Sequence, residues 1–204
     1  MIVTPDRVRD VDLNMTAPPS KSYTHRALIA GALAEGTTTV RRPLDAGDTR
    51  LTIAALKALG VQVEDHPEKI LITGCDGDIP TTGTTTLDLD NAGTSLRLLT
   101  SLALLCRHPV VLTGSARMQE RPLGPLADAL RSLGGSVEFL NHDGYPPIRA
   151  GGQLRGGPVT MDGSMSSQFI SSILMTAPYA GRTVEINLPA RPASASYLDI
   201  TVDV

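Results

Sequence analysis

Three apolar runs at helical spacing recur along this chain, each directly after a polar segment. The runs cover residues 27–33, 98–105 and 169–175. The polar segments carry Ser, Thr or Gly before the first apolar position, which is typical of the capped start of an amphipathic helix. A short β-branched segment follows each run and predicts a strand. These segments cover residues 37–40, 110–112 and 183–186.

The predicted helices belong to an internal repeat. Their start hydroxyls, Ser22, Thr94 and Ser166, fall 72 residues apart. A second predicted helix ends in Leu-Gly at residues 59–60 and again at 133–134. A unit of this length is a whole supersecondary element that buries its apolar faces against its neighbours. The sequence therefore predicts an α/β (α+β) fold of three repeats with inward-facing helices.

The third repeat is expected to be incomplete. By its period, the third Leu-Gly helix end belongs near position 207, whereas the sequence ends at Val204 within an apolar run that begins at Ser196. A helix without a capping glycine or a following strand indicates truncation. We therefore expect the chain to be the front part of a longer protein.

Composition narrows the class of function. With 204 residues, 41% of them hydrophobic, the chain can bury a core, and its net charge of −3 and 3% aromatic residues argue against general nucleic-acid binding. No apolar run approaches the roughly 20 residues of a membrane span, and residues 1–6 do not resemble a signal peptide, so a cytoplasmic location is expected. Cys75 and Cys106 lack metal-ligand or redox spacing, which predicts two reduced thiols and no metal site.

The first helix start carries a candidate anion site. Lys21 and Ser22 lie where free backbone N–H groups and the positive end of the helix dipole favour an anion, and Arg26 lies one turn later on the same face. An ordinary capped helix with solvated basic residues would look the same. The recurrence of polar helix starts at residues 91–97 and 163–168 favours a binding site.

A second basic segment precedes the last predicted helix of the second repeat. Arg117 and Arg121 flank Glu120, and Pro122 suits the first position of the helix. The two arginines and the glutamate are also compatible with surface ion pairing. Because the segment follows a strand of the repeat, Arg121 is a candidate clamp for a carboxylate or phosphate.

Four segments together resemble the signature segments of the 5-enolpyruvylshikimate-3-phosphate (EPSP) synthase family. They are PSKSYTHRAL at 19–28, NAGTSLR at 91–97, RMQERP at 117–122 and GSMSSQF at 163–169. The resemblance implies transfer of the enolpyruvyl group from phosphoenolpyruvate to the 5-hydroxyl of shikimate 3-phosphate, with release of phosphate, on the route to chorismate and the aromatic amino acids. It also implies two similar domains, each of three βαβαββ units, that close on the substrates.

The resemblance assigns parts of the chain to these domains. Residues 15–204 correspond to the N-terminal, shikimate 3-phosphate-binding domain, here truncated. Residues 1–14 correspond to a strand segment that belongs to the other domain in the family, and the second domain is absent. Since the family's proton-handling Asp, Glu and Lys residues lie in that second domain, we expect this chain alone to bind substrate without turnover. The full-length protein is expected to be a monomer.

The resemblance also assigns contacts to individual residues. Lys21 is the expected catalytic residue of this half. No cofactor or metal ion is implied, and the expected partners are the two small-molecule substrates, with no nucleic acid and no membrane. Shikimate 3-phosphate contacts fall on Ser22, Arg26, Ser166, Ser167, Gln168, Ser194 and Tyr197. Phosphoenolpyruvate contacts fall on Lys21, Gly93, Arg121 and Gln168.

Two other functions are compatible with parts of the pattern. The enolpyruvyl transferase that acts on UDP-N-acetylglucosamine shares the fold, but it typically shows an Ala-Lys-Asn start and a reactive cysteine in a glycine-rich loop. In this sequence Ser22 follows the lysine, and neither cysteine lies in such a loop. A stand-alone phosphate-binding module without catalytic activity is the second alternative.

Overall fold

The computed structural model describes residues 14–162, 166–190, 192 and 194–204. The helices are α1 (Lys21–Leu33), α2 (Gly47–Ala58), α3 (Gly93–Leu102), α4 (Ala116–Gln119), α5 (Gly124–Ser132), α6 (Ser167–Thr176) and α7 (Ser196–Asp203). The strands are β1 (Thr37–Arg41), β2 (Gln62–His66), β3 (Lys69–Thr73), β4 (Thr85–Asp88), β5 (Val110–Thr113), β6 (Gly135–Phe139), β7 (Ile148–Gly152), β8 (Gly157–Thr160) and β9 (Val184–Asn187). Single 3-10 turns extend α3 and α6, at Ala103–Leu105 and Ala177–Tyr179.

The strand pairing confirms the three repeats. In the second repeat, β4 pairs parallel with β5, and β5, β7 and β6 follow in antiparallel order. The first repeat has the same antiparallel order in β1, β3 and β2, and the third has the same parallel pair in β8 and β9. The second repeat is thus a complete βαβαββ unit, in which α3 joins β4 to β5 and α5 joins β5 to β6.

The central helices α1, α3 and α6 lie inside the molecule, as predicted. α1 contacts α2, α3, α6 and α7, and α3 packs along α6. Leu28, Leu99 and Ile173 are almost completely excluded from solvent, one on each central helix. Because the chain has two Phe and no Trp, aliphatic side chains fill this core. Among the described helices, none is long and apolar enough to cross a membrane.

Some local predictions differ from the structure. The prediction that Pro122 opens the second helix of its repeat is wrong, because the backbone N–H groups of Leu123 and Gly124 both donate to the Gly144 carbonyl and α5 begins only at Gly124. Pro125 lies in its first turn instead. The predicted strands within residues 1–14 fall outside the described residues, apart from Asn14.

A buried histidine joins three of the helices. His25 of α1 is fully buried, with Nδ1 2.9 Å from Thr52 Oγ1 of α2, which lies 2.8 Å from Ser95 Oγ of α3. Burial lowers the pKa of His25 from 6.5 to about 4. The nearby carboxylate of Asp48 raises this pKa, whereas the charges of Lys21 and Arg26 lower it.

This depressed pKa predicts a loss of stability in mild acid. Between about pH 6.5 and 4 the unfolded chain binds a proton at residue 25 that the folded chain does not, so the free energy of unfolding falls as the pH falls through that window. Because of His25, the free energy of unfolding is about 2 kcal/mol lower at pH 5 than it is well above pH 6.5. Urea unfolding of the wild type and of His25→Asn at pH 7, 6 and 5 measures it. Parallel pH profiles of the two proteins would contradict the assignment.

Candidate functional site

A cavity of about 460 Å³ opens where the central helices begin. It is bordered by the first turns of α1, α3 and α6 and by the start of α7. Its lining residues are Lys21, Ser22, Arg26, Thr94, Arg97, Ser166, Ser167, Gln168, Ser194 and Tyr197. Seven of these ten residues are the expected shikimate 3-phosphate contacts, and Lys21 is an expected phosphoenolpyruvate contact.

The lining of the cavity is cationic and rich in hydroxyl groups. Lys21, Arg26 and Arg97 carry positive charge, and no carboxylate is among the described residues that line the cavity. Helix starts present backbone N–H groups and the positive end of the helix dipole, which favour an anion. The arrangement therefore suits a small, multiply charged anion that also carries hydroxyl groups.

Side-chain caps determine where two of these helices begin. Ser20 Oγ accepts a hydrogen bond from the Tyr23 backbone N–H at 3.5 Å, so Lys21 and Ser22 occupy the first turn of α1. Ser166 Oγ accepts from the Gln168 N–H at 3.3 Å at the start of α6. Ser166 thus caps its helix and lines the cavity at the same time, so capping and binding are compatible roles for this residue.

Arg26 is the most buried charged group of the cavity, at 2% exposure. Its Nε donates to Thr201 Oγ1 at 2.6 Å, and its Nη2 donates to Ser171 Oγ at 3.0 Å and to the Tyr197 carbonyl at 3.2 Å. Its Nη1 donates to the Ser22 carbonyl at 3.1 Å. Burial lowers its pKa, because these neutral partners offset only part of the lost hydration.

Arg97 was not assigned a role from the sequence, yet it joins two sides of the cavity. Its Nη1 donates to Gln168 Oε1 at 2.7 Å, and Gln168 Nε2 donates to Thr94 Oγ1 at 3.1 Å. The guanidinium lies 5.5 Å from the centre of the Phe169 ring. Burial lowers the pKa of Arg97, and the charge of Arg121 lowers it further. Its position, 71 residues after Arg26, was the signal available in the repeat.

Gly93 and Arg121 lie beside the cavity and are not among its lining residues. Arg121 Nη2 donates to Asn91 Oδ1 at 2.9 Å. Two guanidinium groups occupy the space next to the Gly93 Cα. A Cβ atom at this position would lie 2.7 Å from Arg121 Nη1 and 3.2 Å from Arg97 Nη1. The arginine that pairs with Glu120 is Arg117, at 3.5 Å, so Arg121 remains available to the site.

A carboxylate that the sequence reasoning missed holds Lys21. Asp48 Oδ2 of α2 lies 3.0 Å from Lys21 Nζ, and the two side chains are 37% and 50% exposed. In the first turn of α2 this carboxylate is also favoured by the helix dipole. The contact orients the ammonium group and at the same time neutralises part of its charge.

The described residues contain no group of three or more His, Cys, Asp or Glu side chains that could hold a metal ion. Both cysteines are free thiols, and neither lines the cavity. Burial raises the pKa of Cys106 to about 12, so that thiol stays protonated at neutral pH. The described side chains that line the cavity carry ammonium, guanidinium, hydroxyl and amide groups.

The family model described as EPSP synthase (3-phosphoshikimate 1-carboxyvinyltransferase) matches residues 5–204. The chain belongs to the EPSP synthase family. It is 63% identical over 204 residues to the 3-phosphoshikimate 1-carboxyvinyltransferase of Methanoculleus marisnigri and 59% identical to that of Methanoregula boonei. It covers 48% of each of these proteins, so it spans about half the length of the curated relatives it matches.

A solved structure supports the same family. EPSP synthase from Acinetobacter baumannii aligns with 88% of this chain and 41% of its own, with a TM-score of 0.78 and 30% sequence identity. More distant relatives, such as that of Serratia proteamaculans at 44% identity over 194 residues, carry the same name. These relatives favour the EPSP synthase family over the UDP-N-acetylglucosamine alternative.

The crowding at Gly93 gives a testable prediction. Gly93→Ala places a methyl group within contact of the Arg121 and Arg97 guanidinium groups, which are flexible ends that can move away. We expect a thermal midpoint within about 4 °C of the wild type, together with displacement of Arg121 from Asn91, seen as shifted NMR signals of the Arg121 side chain. Gly83→Ala is the matched control, because a methyl group there meets open space. Unchanged Arg121 signals in Gly93→Ala would contradict this geometry.

Proposed function

We propose that this chain is the shikimate 3-phosphate-binding half of an enzyme that transfers the enolpyruvyl group of phosphoenolpyruvate to the 5-hydroxyl of shikimate 3-phosphate. Phosphate is the other product. The observation that carries the proposal is the cavity itself, in which the lining that the structure describes brings together three cations and six hydroxyl groups and no carboxylate. Both substrates are anions, and one of them also carries hydroxyl groups.

The proposed contacts divide between two parts of the site. Shikimate 3-phosphate takes the hydroxyl-rich side, which α6 and α7 contribute, and lies against Arg26. Phosphoenolpyruvate takes the side of Lys21, with Gly93 and Arg121 beyond it and Gln168 between the two substrates. The proposed contacts to shikimate 3-phosphate are Ser22, Arg26, Ser166, Ser167, Gln168, Ser194 and Tyr197.

Buried cations support the binding of an anion in the cavity. Arg26 and Arg97 have lowered pKa values because they are removed from water, and an anion in the cavity would restore the lost interaction with solvent. The Arg97–Gln168–Thr94 hydrogen bonds leave the Gln168 amide in one orientation. Preorganised donors of this kind bind an anion without a further cost of ordering the side chains.

The proposal includes a division of labour between two halves of the enzyme. Proton transfer to and from the enolpyruvyl carbon requires an acid and a base, which the family resemblance assigns to a second domain. We propose that residues 15–204 bind substrate without turnover and that residues 1–14 belong with the second domain. The cytoplasmic location and the monomeric state of the full-length protein stay predictions.

Calorimetric titration tests the binding roles. We expect weak but measurable binding of shikimate 3-phosphate, and binding of phosphoenolpyruvate only after the first ligand is present. Ser167→Ala should weaken shikimate 3-phosphate binding about tenfold, the usual effect of losing one hydrogen bond to a charged group. Ser132→Ala is its control, because that hydroxyl donates only to the Asp128 carbonyl of its own helix.

A second pair of variants separates the two substrates. Lys21→Ala should weaken phosphoenolpyruvate binding at least tenfold and leave shikimate 3-phosphate binding within about twofold. The exposed Lys57 of α2 provides the control Lys57→Ala. A chain that binds neither ligand would overturn the proposed function. Phosphate release by the 204-residue chain alone, dependent on both substrates, would show that the catalytic groups are not confined to the second domain.

A further inference from the structure

A chain of buried hydrogen bonds runs behind the cavity and joins α1, α2 and α3. His25 Nδ1 lies 2.9 Å from Thr52 Oγ1, which lies 2.8 Å from Ser95 Oγ. Ser95 Oγ and Thr52 Oγ1 each lie 3.3 Å from the Asp48 backbone carbonyl. All three side chains are fully excluded from solvent. None of them lines the cavity, and no binding role has been assigned to them.

Each member of this chain stands close behind a residue at the front of the site. His25 follows Lys21 by one helical turn on α1. Thr52 follows Asp48 by one turn on α2, and Asp48 holds the Lys21 ammonium group at 3.0 Å. Ser95 follows Gly93 and Thr94 in the first turn of α3. The hydrogen bonds therefore couple the axial positions of the three helix starts.

The Asp48 carbonyl, at the end of this hydrogen-bonded chain, determines which group donates in each of its hydrogen bonds. The Asp48 carbonyl can only accept, so when Ser95 Oγ donates to it and Thr52 Oγ1 donates to Ser95 Oγ, His25 Nδ1–H is the donor to Thr52. His25 Nε2 is then a bare acceptor, and it has no hydrogen-bond partner among the described residues. The reverse orientation would bury an unpaired N–H group, which is the rarer arrangement in folded proteins.

Stability alone does not account for a polar chain at this place. A buried hydrogen bond contributes little net stability, and apolar side chains of the same shape are often equally stable. A hydrogen bond does impose a distance and a direction, whereas two apolar surfaces can slide past each other. The main effect of the hydrogen-bonded chain is therefore to fix α1, α2 and α3 relative to one another.

We propose that His25 is a positioning residue. Through Thr52 and Ser95 it holds Lys21 and the first turn of α3 in the positions in which they bind the phosphate of phosphoenolpyruvate. This inference rests on the proposed function, because it assigns phosphoenolpyruvate to the side of Lys21 and Gly93. His25 acts through other residues and does not touch the ligand. Its contribution is the fixed spacing of the helix starts.

Two isosteric replacements test the proposal. Asn and Leu have nearly the same shape and remove the same part of the imidazole ring, but only Asn keeps a donor at the position of Nδ1. We expect His25→Leu to weaken phosphoenolpyruvate binding about five- to tenfold in the presence of shikimate 3-phosphate. We expect His25→Asn to stay within about twofold of the wild type, because its donor restores the contact with Thr52. Calorimetry on the 204-residue chain measures both.

A second pair of variants covers the case in which His25→Leu does not fold. Thr52→Val removes the hydroxyl group at the middle of the chain and should weaken phosphoenolpyruvate binding to a similar extent. Thr100→Val is its matched control, because Thr100 is equally buried and donates only to the Leu96 carbonyl of its own helix. Equal affinities of these two variants would overturn the proposal.

A readout without ligand separates this proposal from the proposed function. The backbone amide NMR signals of Lys21, Ser22, Gly93 and Thr94 should shift in His25→Leu and stay close to wild type in His25→Asn. If the wild type binds both substrates, and His25→Leu and His25→Asn bind phosphoenolpyruvate equally well, the positioning role is wrong and the proposed function stands. If the wild type binds neither substrate, the proposed function is wrong, and unchanged amide signals in His25→Leu would also overturn the positioning role.

Discussion

The cavity depends on a guanidinium group that is buried among neutral partners. Arg26 is 2% exposed, and it donates to two hydroxyl groups and two backbone carbonyls. Removal of a cation from water is unfavourable, and neutral acceptors offset only part of that cost. The positive potential that remains is what an anion in the cavity would neutralise. The destabilising effect of this burial and the capacity to bind an anion therefore have one origin.

Repetition of a folding unit brings the helix starts together, and differences between the repeats give each start its own chemistry. The first residues of α1, α3 and α6 are Lys21, Gly93 and Ser167. The first supplies a charge, the second allows the Arg121 and Arg97 guanidinium groups to approach the backbone, and the third supplies a hydroxyl group. A single repeated helix start would bind an anion weakly and without selectivity. Three unlike starts around one cavity can distinguish the two ends of an unsymmetrical anion.

The repeat was predictable because it is local in sequence, whereas most of the lining residues were expected from the resemblance to the EPSP synthase family. Polar helix starts spaced by 72 residues indicated where Ser22, Thr94 and Ser166 lie. The order of the strands within each sheet came from the structure. The pairing of side chains between helices was not predictable. Asp48 reaches Lys21 across 27 residues, and Arg97 reaches Gln168 across 71. Such contacts depend on the packing angle of the helices, and the repeat period of a sequence carries no information about that angle.

The contacts between the central helices combine two kinds of packing with different mechanical consequences. Leu28, Leu99 and Ile173 form an aliphatic core that drives burial but tolerates small shifts. Beside it, Ser101 and Ser172 share a hydrogen bond between α3 and α6, and Ser172 Oγ also donates to the Arg97 carbonyl at 2.8 Å. Because a hydrogen bond weakens steeply with distance and angle, such pairs penalise sliding of one helix along another. The aliphatic contacts thus stabilise the fold, while the hydroxyl contacts keep the helix starts in register at the cavity.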